Sequence, residues 1–148
     1  MLFRSGACPL IKSEYFEEIG GFDKNIFMYC EDVDLSFRAW LAGHKCLYVP
    51  FARVLHISQY FDPNKDLSSE FYYSRLYTLY ILRKYFSEDD VERYIREKIN
   101  GISSDIKDKI IMEFEGIKNY DLSVREKLPH PRIKLYSDFT FAKKRWEI

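Results

Sequence analysis

A change of pattern near Phe61-Asp62-Pro63-Asn64 constrains the fold of this 148-residue chain more than any other feature of its sequence. The tetrapeptide is typical of a turn or linker. Before it, short predicted strands alternate with short predicted helices, and beyond it the pattern is helical. The sequence therefore predicts an α/β fold class, with a mixed part over residues 1–66 and an α-helical C-terminal region over residues 67–148.

The mixed part contains two predicted helices. The first is capped by Ser13 and ended by the pair Gly20-Gly21, and the second runs from Glu31 to Ala42 with Gly43 as its stop signal. Apolar periods bounded by turn residues predict three strands. These strands are Ala7 to Ile11, Lys45 to Val49 and Ala52 to Ile57.

The second part is predicted to hold three helices. A long, tyrosine-rich apolar pattern predicts the first over Ser68 to Phe86. Ser87 and Asp90 have the spacing of a capping box, which predicts a helix to about Asn100. An amphipathic pattern predicts the last helix over Ser104 to about Phe114, and the remaining chain is predicted to be irregular.

Composition excludes several classes of protein. The formal net charge is zero, which gives no support for a nucleic-acid partner. Three cysteines without a CxxC spacing favour a reduced, cytoplasmic setting, and the N-terminal sequence is unlike a signal peptide. No apolar run approaches the ~20 residues of a membrane-spanning helix.

The acidic run Glu31-Asp32-Val33-Asp34 has two interpretations. Carboxylates in a first helical turn stabilise the helix dipole and accept from free amides, and Asp34 can pair with Arg38 four residues on. Alternatively, a carboxylate held at a helix start beside a loop can face a cleft and act as a general base. The run alone leaves both interpretations open.

Its neighbours resemble a known family. The chain resembles inverting family-2 glycosyltransferases of the GT-A fold, especially rhamnosyltransferase-like members, in an ordered set of motifs: Gly20-Gly21-Phe22-Asp23, Glu31-Asp32-Val33-Asp34-Leu35-Ser36-Phe37-Arg38, Gly43, Val49-Pro50 and His56. The resemblance covers residues ~3 to 86. It implies the acceptor-side part of a GT-A nucleotide-diphospho-sugar transferase fold, followed by the helical region.

The resemblance also implies roles for particular residues. Asp32 would be the base that deprotonates the acceptor hydroxyl, with Glu31 and Asp34 as neighbours that orient or tune it. His56 would lie near a divalent metal, Mg²⁺ or Mn²⁺, although a histidine at a strand end is more often structural. Arg75 would approach the donor diphosphate, but it is equally explained as a surface arginine, and the next residue is leucine where the family commonly has asparagine.

The same resemblance implies a nucleotide-diphosphate sugar as donor and a saccharide or lipid-linked acceptor. The chain has no glycine-rich phosphate loop and no D-x-D motif before the acidic run. The residues Asp32-Val33-Asp34 match a D-x-D pattern, but they fall inside the base motif, so they are not interpreted as the donor metal site. We therefore expect the donor-binding half to be absent from these residues, and the chain alone to have little or no transferase activity.

Other functions remain open at this point. The chain could be a non-catalytic module that forms homo-oligomers, or pairs with a donor-binding chain, through its helix Ser68 to Phe86. Peripheral membrane contact through the basic tail Lys143-Lys144-Arg145-Trp146 is a weaker hypothesis. The aromatic residues Phe27 and Tyr29 are candidates for the border of an acceptor cleft, whereas the position of Trp40 favours core packing.

Overall fold

The computed structural model describes residues 9–47, 49, 51–55, 67–117 and 120–141 of the chain. Five α-helices form the framework of this part: α1 Ser13–Glu18, α2 Glu31–Leu41, α3 Leu67–Tyr85, α4 Glu88–Tyr94 and α5 Ser104–Gly116. A π-helical turn, Ile95–Ile99, extends α4, and a 3-10 helix spans Leu122–Lys127. The predicted helices are all found, although the last turn of the one predicted from Ser87 to about Asn100 is π-helical. The expected cap Ser13 is instead the first residue of α1, and the N-cap is Lys12, which makes no side-chain cap bond.

Glycine ends the two helices of the N-terminal part, as the sequence predicts. Gly20 and Gly21 follow α1 with φ of 80° and 66°, and Gly43 follows α2 with φ of 87°. These left-handed conformations are accessible to glycine at low cost, because it has no Cβ. The chain can therefore turn sharply at both points, and after Gly21 the loop before α2 contacts α3 through Asp23.

Helix α3 lies at the centre of the core. Four consecutive residues near its C-terminal end, Leu79 to Leu82, have no exposed surface. Since successive residues point to different sides of a helix, this part of α3 is surrounded on every side. Helices α4 and α5 and the 3-10 helix contact it directly, and α2 contacts the 3-10 helix.

Aromatic rings join α2 to the rest of the core. Phe37 of α2 packs edge-to-face against Tyr85 of α3, with ring centroids 5.0 Å apart, and against Phe141 at 5.9 Å. Phe141 stacks in turn on Phe86. Trp40 is buried beside Phe37, which confirms its predicted packing role. Edge-to-face pairs of this kind contribute about 1 kcal/mol each beyond their buried area.

The segment after α5, predicted to be irregular, also belongs to the core. Apart from the 3-10 helix it has no helix among its described residues, yet Val124, Ile133, Phe139 and Phe141 are buried. Residues on both sides of the predicted boundary at 66 thus share one hydrophobic cluster. The division into two domains stays a prediction.

The capping box before α4 is confirmed. The Ser87 hydroxyl accepts from the Asp90 amide, and the Asp90 carboxylate accepts from the Ser87 amide. This reciprocal pair satisfies two amides at the helix start. Helix α4 therefore starts where the sequence predicts it.

The described residues contain no β-strand. The predicted strands Ala7 to Ile11, Lys45 to Val49 and Ala52 to Ile57 are not formed in the portions that the structure describes. A strand requires a partner for its amide and carbonyl groups, and the described residues offer none. The α/β class and the GT-A fold stay predictions.

Among the described residues, no helix combines the length and the apolar character that crossing a bilayer requires. The basic tail 143–146 and His56 lie outside the described residues.

Candidate active site

The start of α2 is built on two unusual backbone conformations. Tyr29 and Cys30, directly before the helix, both have φ of 65°. For residues with a Cβ, a left-handed conformation costs about 1 kcal/mol or more, and such strain clusters at functional sites. The helix begins at Glu31 immediately after this turn, and the Cys30 carbonyl accepts from the Asp34 amide at 3.0 Å.

The predicted base, Asp32, lies in the first turn of α2 and is partly exposed. Its Oδ1 accepts from the Val33 amide at 2.8 Å. This bond satisfies a free amide at the helix start, as the structural interpretation of the acidic run requires, and it also fixes the direction of the carboxylate. The two interpretations of Asp32 are therefore compatible in one geometry.

Glu31, the first residue of α2, presents a second carboxylate. Its Oε2 is shielded from solvent and has no hydrogen-bond partner among the described residues. An unsatisfied, shielded carboxylate oxygen is costly unless a ligand, water or ion satisfies it. The atom is therefore a candidate contact for a bound group.

Asp34 differs from its two acidic neighbours because it has no exposed surface. Its Oδ1 accepts from Lys84 Nζ and from the Tyr85 hydroxyl, both at 2.7 Å. Its Oδ2 accepts from Arg38 Nε at 2.8 Å, and Arg38 Nη2 lies 2.7 Å from the same oxygen. Both oxygens are fully engaged by cations and a hydroxyl of the protein, so Asp34 serves to fix α2 in place.

Lys84 connects this carboxylate to the loop before α2. The lysine is 1% exposed, and its Nζ also donates to Asp23 Oδ2 at 2.8 Å. The same Asp23 oxygen accepts from the Tyr80 hydroxyl at 2.5 Å, and Asp23 Oδ1 accepts from the backbone amide of Asn25 at 2.9 Å. Asp23, the last residue of the Gly-Gly-Phe-Asp motif, is thus held by α3.

Arg38 ties the network to α1. Besides pairing with Asp34, its Nη1 donates to the carbonyl of Ile19, directly after α1. The i,i+4 pair with Asp34 is the one that the sequence predicts. Together, Arg38 and Lys84 neutralise Asp34 and Asp23, and they bind α1, α2, α3 and the intervening loop into one unit.

The network shifts the protonation of its members. Burial raises the pKa of Asp23, but the hydrogen bonds from Lys84, Tyr80 and the Asn25 amide outweigh it and hold this pKa below its ordinary value. Burial raises the pKa of Tyr80 and of Tyr85, and the carboxylates that they contact raise both further. Both tyrosines therefore remain hydroxyl donors throughout the physiological pH range.

Cys30 lies on the inner side of the same turn. Its Sγ is 3.9 Å from Thr78 Oγ1 of α3. Burial and the neighbouring carboxylates Asp32, Glu31 and Asp34 raise the pKa of the thiol to about 12, against a weaker opposing effect of Thr78. The residue is therefore an inert thiol that packs the strained turn against α3.

Arg75 of α3 contacts Tyr94 of α4 and Phe71 of its own helix. Its Nη1 donates to the Tyr94 hydroxyl at 3.2 Å, and its guanidinium lies 5.0 Å from the centre of the Phe71 ring. These contacts hold the side chain between α3 and α4. Its contact with a donor diphosphate stays a prediction.

The described residues do not assemble a metal centre. They contain no group of three or more histidine, cysteine or acidic side chains placed to hold a metal ion. Asp34 is also chemically unsuited to this role, because both its oxygens are taken by cations. The metal role of His56 concerns a residue outside the described part and stays a prediction.

Sequence reasoning missed the residues of α3 that hold the site. Lys84, Tyr80 and Tyr85 were assigned only to an apolar helix, and Asp23 only to a motif. A signal was present, because Lys84 follows Tyr77, Tyr80 and Ile81 at helical spacing, and a lysine on such an apolar and aromatic face needs a carboxylate partner. The identity of that partner depends on the tertiary fold.

Comparison with known proteins supplies relatives for part of the chain. It is 52% identical over 52 residues to the N-acetylglucosaminyl-diphospho-decaprenol L-rhamnosyltransferase of Mycobacterium tuberculosis, a match covering 35% of this chain and 17% of the relative. It is 39% identical over 56 residues to the rhamnosyltransferase WbbL of Escherichia coli (strain K12), covering 38% of this chain and 21% of the relative. It is 38% identical over 72 residues to the polypeptide N-acetylgalactosaminyltransferase 8 of Drosophila melanogaster, covering 45% and 12%.

No family model and no solved structure matches the chain. The chain spans about a sixth of the length of the first curated relatives that it matches. These relatives transfer rhamnose or N-acetylgalactosamine, as their names state, so the homologues of this chain are glycosyltransferases.

Proposed function

We propose that this chain is the acceptor-side part of an inverting, family-2 glycosyltransferase of the GT-A fold. It would act in the transfer of a sugar from a nucleotide-diphosphate donor to a saccharide or lipid-linked acceptor, with Asp32 as the general base. The observation that carries the proposal is the geometry of α2. A partly exposed, amide-oriented carboxylate lies in the first turn of a helix that a buried ionic network holds rigidly.

The reaction requires a base at one position only. As the acceptor hydroxyl oxygen attacks the anomeric carbon, its proton passes to the Asp32 carboxylate, and the bond from the anomeric carbon to the diphosphate oxygen breaks. The electrons of that bond leave with the nucleoside diphosphate. Attack from the side opposite the leaving group inverts the anomeric centre. Glu31 keeps its expected role as a neighbour that orients or tunes Asp32.

Aromatic side chains beside the acidic turn fit the acceptor side of such a site. Phe27, four residues before Glu31, is 70% exposed and packs against Tyr73 of α3 with ring centroids 5.3 Å apart. Tyr77 stacks on Tyr73 behind it. Sugar rings present apolar C–H faces that pack on exposed aromatic rings. Phe27 is thus the border of the proposed acceptor cleft.

In this proposal most of the donor site lies in a part of the enzyme outside these residues, and this chain contributes His56 toward the divalent metal and Arg75 toward the donor diphosphate. The proposal rests on the sequence, which lacks a phosphate loop and a donor D-x-D motif, and on the small share of each relative that the chain covers. The chain alone is then expected to have little or no activity, because transfer needs both substrates in one site. A cytoplasmic location, with peripheral membrane contact through residues 143–146, is retained as part of this hypothesis.

A second candidate function is a non-catalytic pairing module. It is favoured by the segment 47–55, in which Leu47, Phe51 and Leu55 are 79%, 91% and 86% exposed. Apolar side chains exposed in this way mark surfaces that another chain or segment covers. Helix α3 is a poorer candidate for this role, because its residues 79–82 are already buried. Sedimentation of the isolated chain as a monomer would count against self-pairing.

The test of the main proposal is a charge-neutral substitution of the base. In a complete enzyme that contains this chain, Asp32→Asn should lower kcat by about 10³-fold or more while the thermal unfolding temperature changes little. Asp89→Asn, an exposed carboxylate in the first turn of α4, is the matched control and should leave kcat unchanged. Turnover of Asp32→Asn within tenfold of the parent enzyme would remove Asp32 from the base role.

A further inference from the structure

We propose that Lys84 is a positioning residue that holds the carboxylate of Asp32 in its working orientation through its contacts with two other segments. The catalytic role of Lys84 rests on the proposed function, whereas its contacts with two separate segments do not depend on that function. Lys84 is the side chain of α3 that contacts both the Gly-Gly-Phe-Asp loop and α2.

The two contacts join segments that are separate in the chain. Lys84 Nζ lies 2.8 Å from Asp23 Oδ2 in the loop and 2.7 Å from Asp34 Oδ1 in α2. The strained residues Tyr29 and Cys30 and the base candidate Asp32 all lie between these two anchor points. The position of Asp32 is therefore fixed from both ends by one buried ammonium group.

A general structural role would not require this particular residue. An apolar side chain at this position in the last turn of α3 would fill the same space without burying a charge. Burying an ion pair is often no more stabilising than a hydrophobic replacement. What an apolar residue could not supply is a directional link from one atom to two carboxylates. Such links fix one arrangement of the surrounding backbone.

The balance of charges in the network supports the same conclusion. Asp23 and Asp34 carry two negative charges, and Lys84 and Arg38 carry two positive charges within hydrogen-bond distance of them. Arg38 contacts Asp34 and the carbonyl that follows α1, whereas it makes no hydrogen bond to Asp23. Among the described side chains, only Lys84 spans the gap between the loop and α2 with a charge.

The experiment compares Lys84→Met with the charge-neutral double variant Asp34→Asn/Lys84→Met in the full 148-residue chain. Amide hydrogen exchange reports the two anchor points separately, at the Asn25 amide bound to Asp23 and the Asp34 amide bound to Cys30. In Lys84→Met, these two amides should exchange about tenfold faster or more, whereas amides of α5 should change much less. Lys109→Met, an exposed lysine lying over the Tyr72 ring, is the control and should leave all of them unchanged.

The double variant separates positioning from charge balance. Removing Asp34's charge together with that of Lys84 leaves Asp23 and Arg38 and restores neutrality, so the double variant keeps the experiment interpretable even where Lys84→Met does not fold. If Lys84 positions the site, exchange at Asn25 and Asp34 (now asparagine) stays fast in the folded double variant. Recovery of the parent rates would show that charge balance was the whole effect and would overturn the proposal.

The catalytic role proposed for Lys84 is tested in a complete enzyme that contains the chain. There, the double variant should lower kcat about tenfold or more with the KM for the donor unchanged, because the base is misplaced and donor binding is not touched. Parent kcat in the double variant would overturn the positioning role. If Asp32→Asn retains turnover while the Lys84 variants still show faster amide exchange, the proposed function fails and the link made by Lys84 remains. If Asp32→Asn is inactive and the Lys84 variants exchange at the parent rates, only the role of Lys84 fails.

Discussion

Replacing Asp34 by asparagine removes a charge from the centre of the network without changing the shape of the side chain. The carboxylate accepts from Lys84, Tyr85 and Arg38, and the residue has no exposed surface. An asparagine has one acceptor oxygen, so its amide group must face a donor on one side. Either Lys84 or Arg38 then loses its bond to position 34 and keeps only its second acceptor, Asp23 for Lys84 or the Ile19 carbonyl for Arg38. The two buried or nearly buried cations are then left with one carboxylate between them.

The magnitude follows from the cost of leaving a buried charge without its partner. Breaking a buried ion pair from one side costs about 3–5 kcal/mol. Total stabilities of domains are about 5–15 kcal/mol, so Asp34→Asn should remove a large share of the free energy of unfolding. With an m-value of about 2 kcal/mol per molar urea, the unfolding midpoint should fall by about 2 M.

The assay is urea unfolding followed by tyrosine and tryptophan fluorescence, with Trp40 buried beside the network. Asp108→Asn is the matched control, because Asp108 is an exposed carboxylate in the middle of α5. Its free energy of unfolding should change by less than about 0.5 kcal/mol. A loss below about 1 kcal/mol in Asp34→Asn would refute the reasoning, since it would mean that the carboxylate is not the shared acceptor of the network.

Three further predictions concern single members of the network. Tyr85→Phe deletes one hydrogen bond to the buried carboxylate and should lower the free energy of unfolding by about 1.5–3 kcal/mol in the same urea assay, whereas a loss near zero would remove this bond from the network. Because the pKa of Cys30 is raised to about 12, iodoacetamide at pH 8 should alkylate it on the order of 100-fold more slowly than a free cysteine, as peptide mass spectrometry can measure; a rate like that of free cysteine would contradict its burial. Because the pKa of Asp23 is lowered in the fold, its stabilising effect is complete above the unfolded value near pH 4 and is lost as the pH falls through the folded value; urea midpoints between pH 6 and 3 should therefore fall less steeply in Asp23→Asn, and parallel curves would refute this.

Local sequence signals predicted the helices well. Glycine at positions 20, 21 and 43 ends two of them, and the Ser87 capping box starts another, because these signals act within a few residues. The strands were predicted by equally local patterns. A strand, however, needs a partner from a distant part of the chain, and the described residues supply none.

The site could be predicted only in part for the same reason. The i,i+4 pair of Asp34 and Arg38 follows from helix geometry and was expected. The partners of Asp34 and Asp23 on α3 are 50 and 61 residues further on, and no local pattern connects them. The turn of Tyr29 and Cys30 was also missed, because neither residue type normally favours a left-handed conformation.

The acidic run places two of its carboxylates, Asp32 and Asp34, on opposite sides of α2. Positions 32 and 34 are separated by about 200° around a helix, so one carboxylate can face the core only if the other faces away from it. Asp34 takes the inner position, where cations satisfy both its oxygens, and Asp32 takes the partly exposed one. The inner carboxylate therefore fixes the rotation of α2, and that rotation determines where the outer carboxylate points. In this arrangement, the structural and the catalytic interpretations of the run do not compete. The buried Asp34, held by Lys84 and Arg38, orients the carboxylate of Asp32, which would accept the proton.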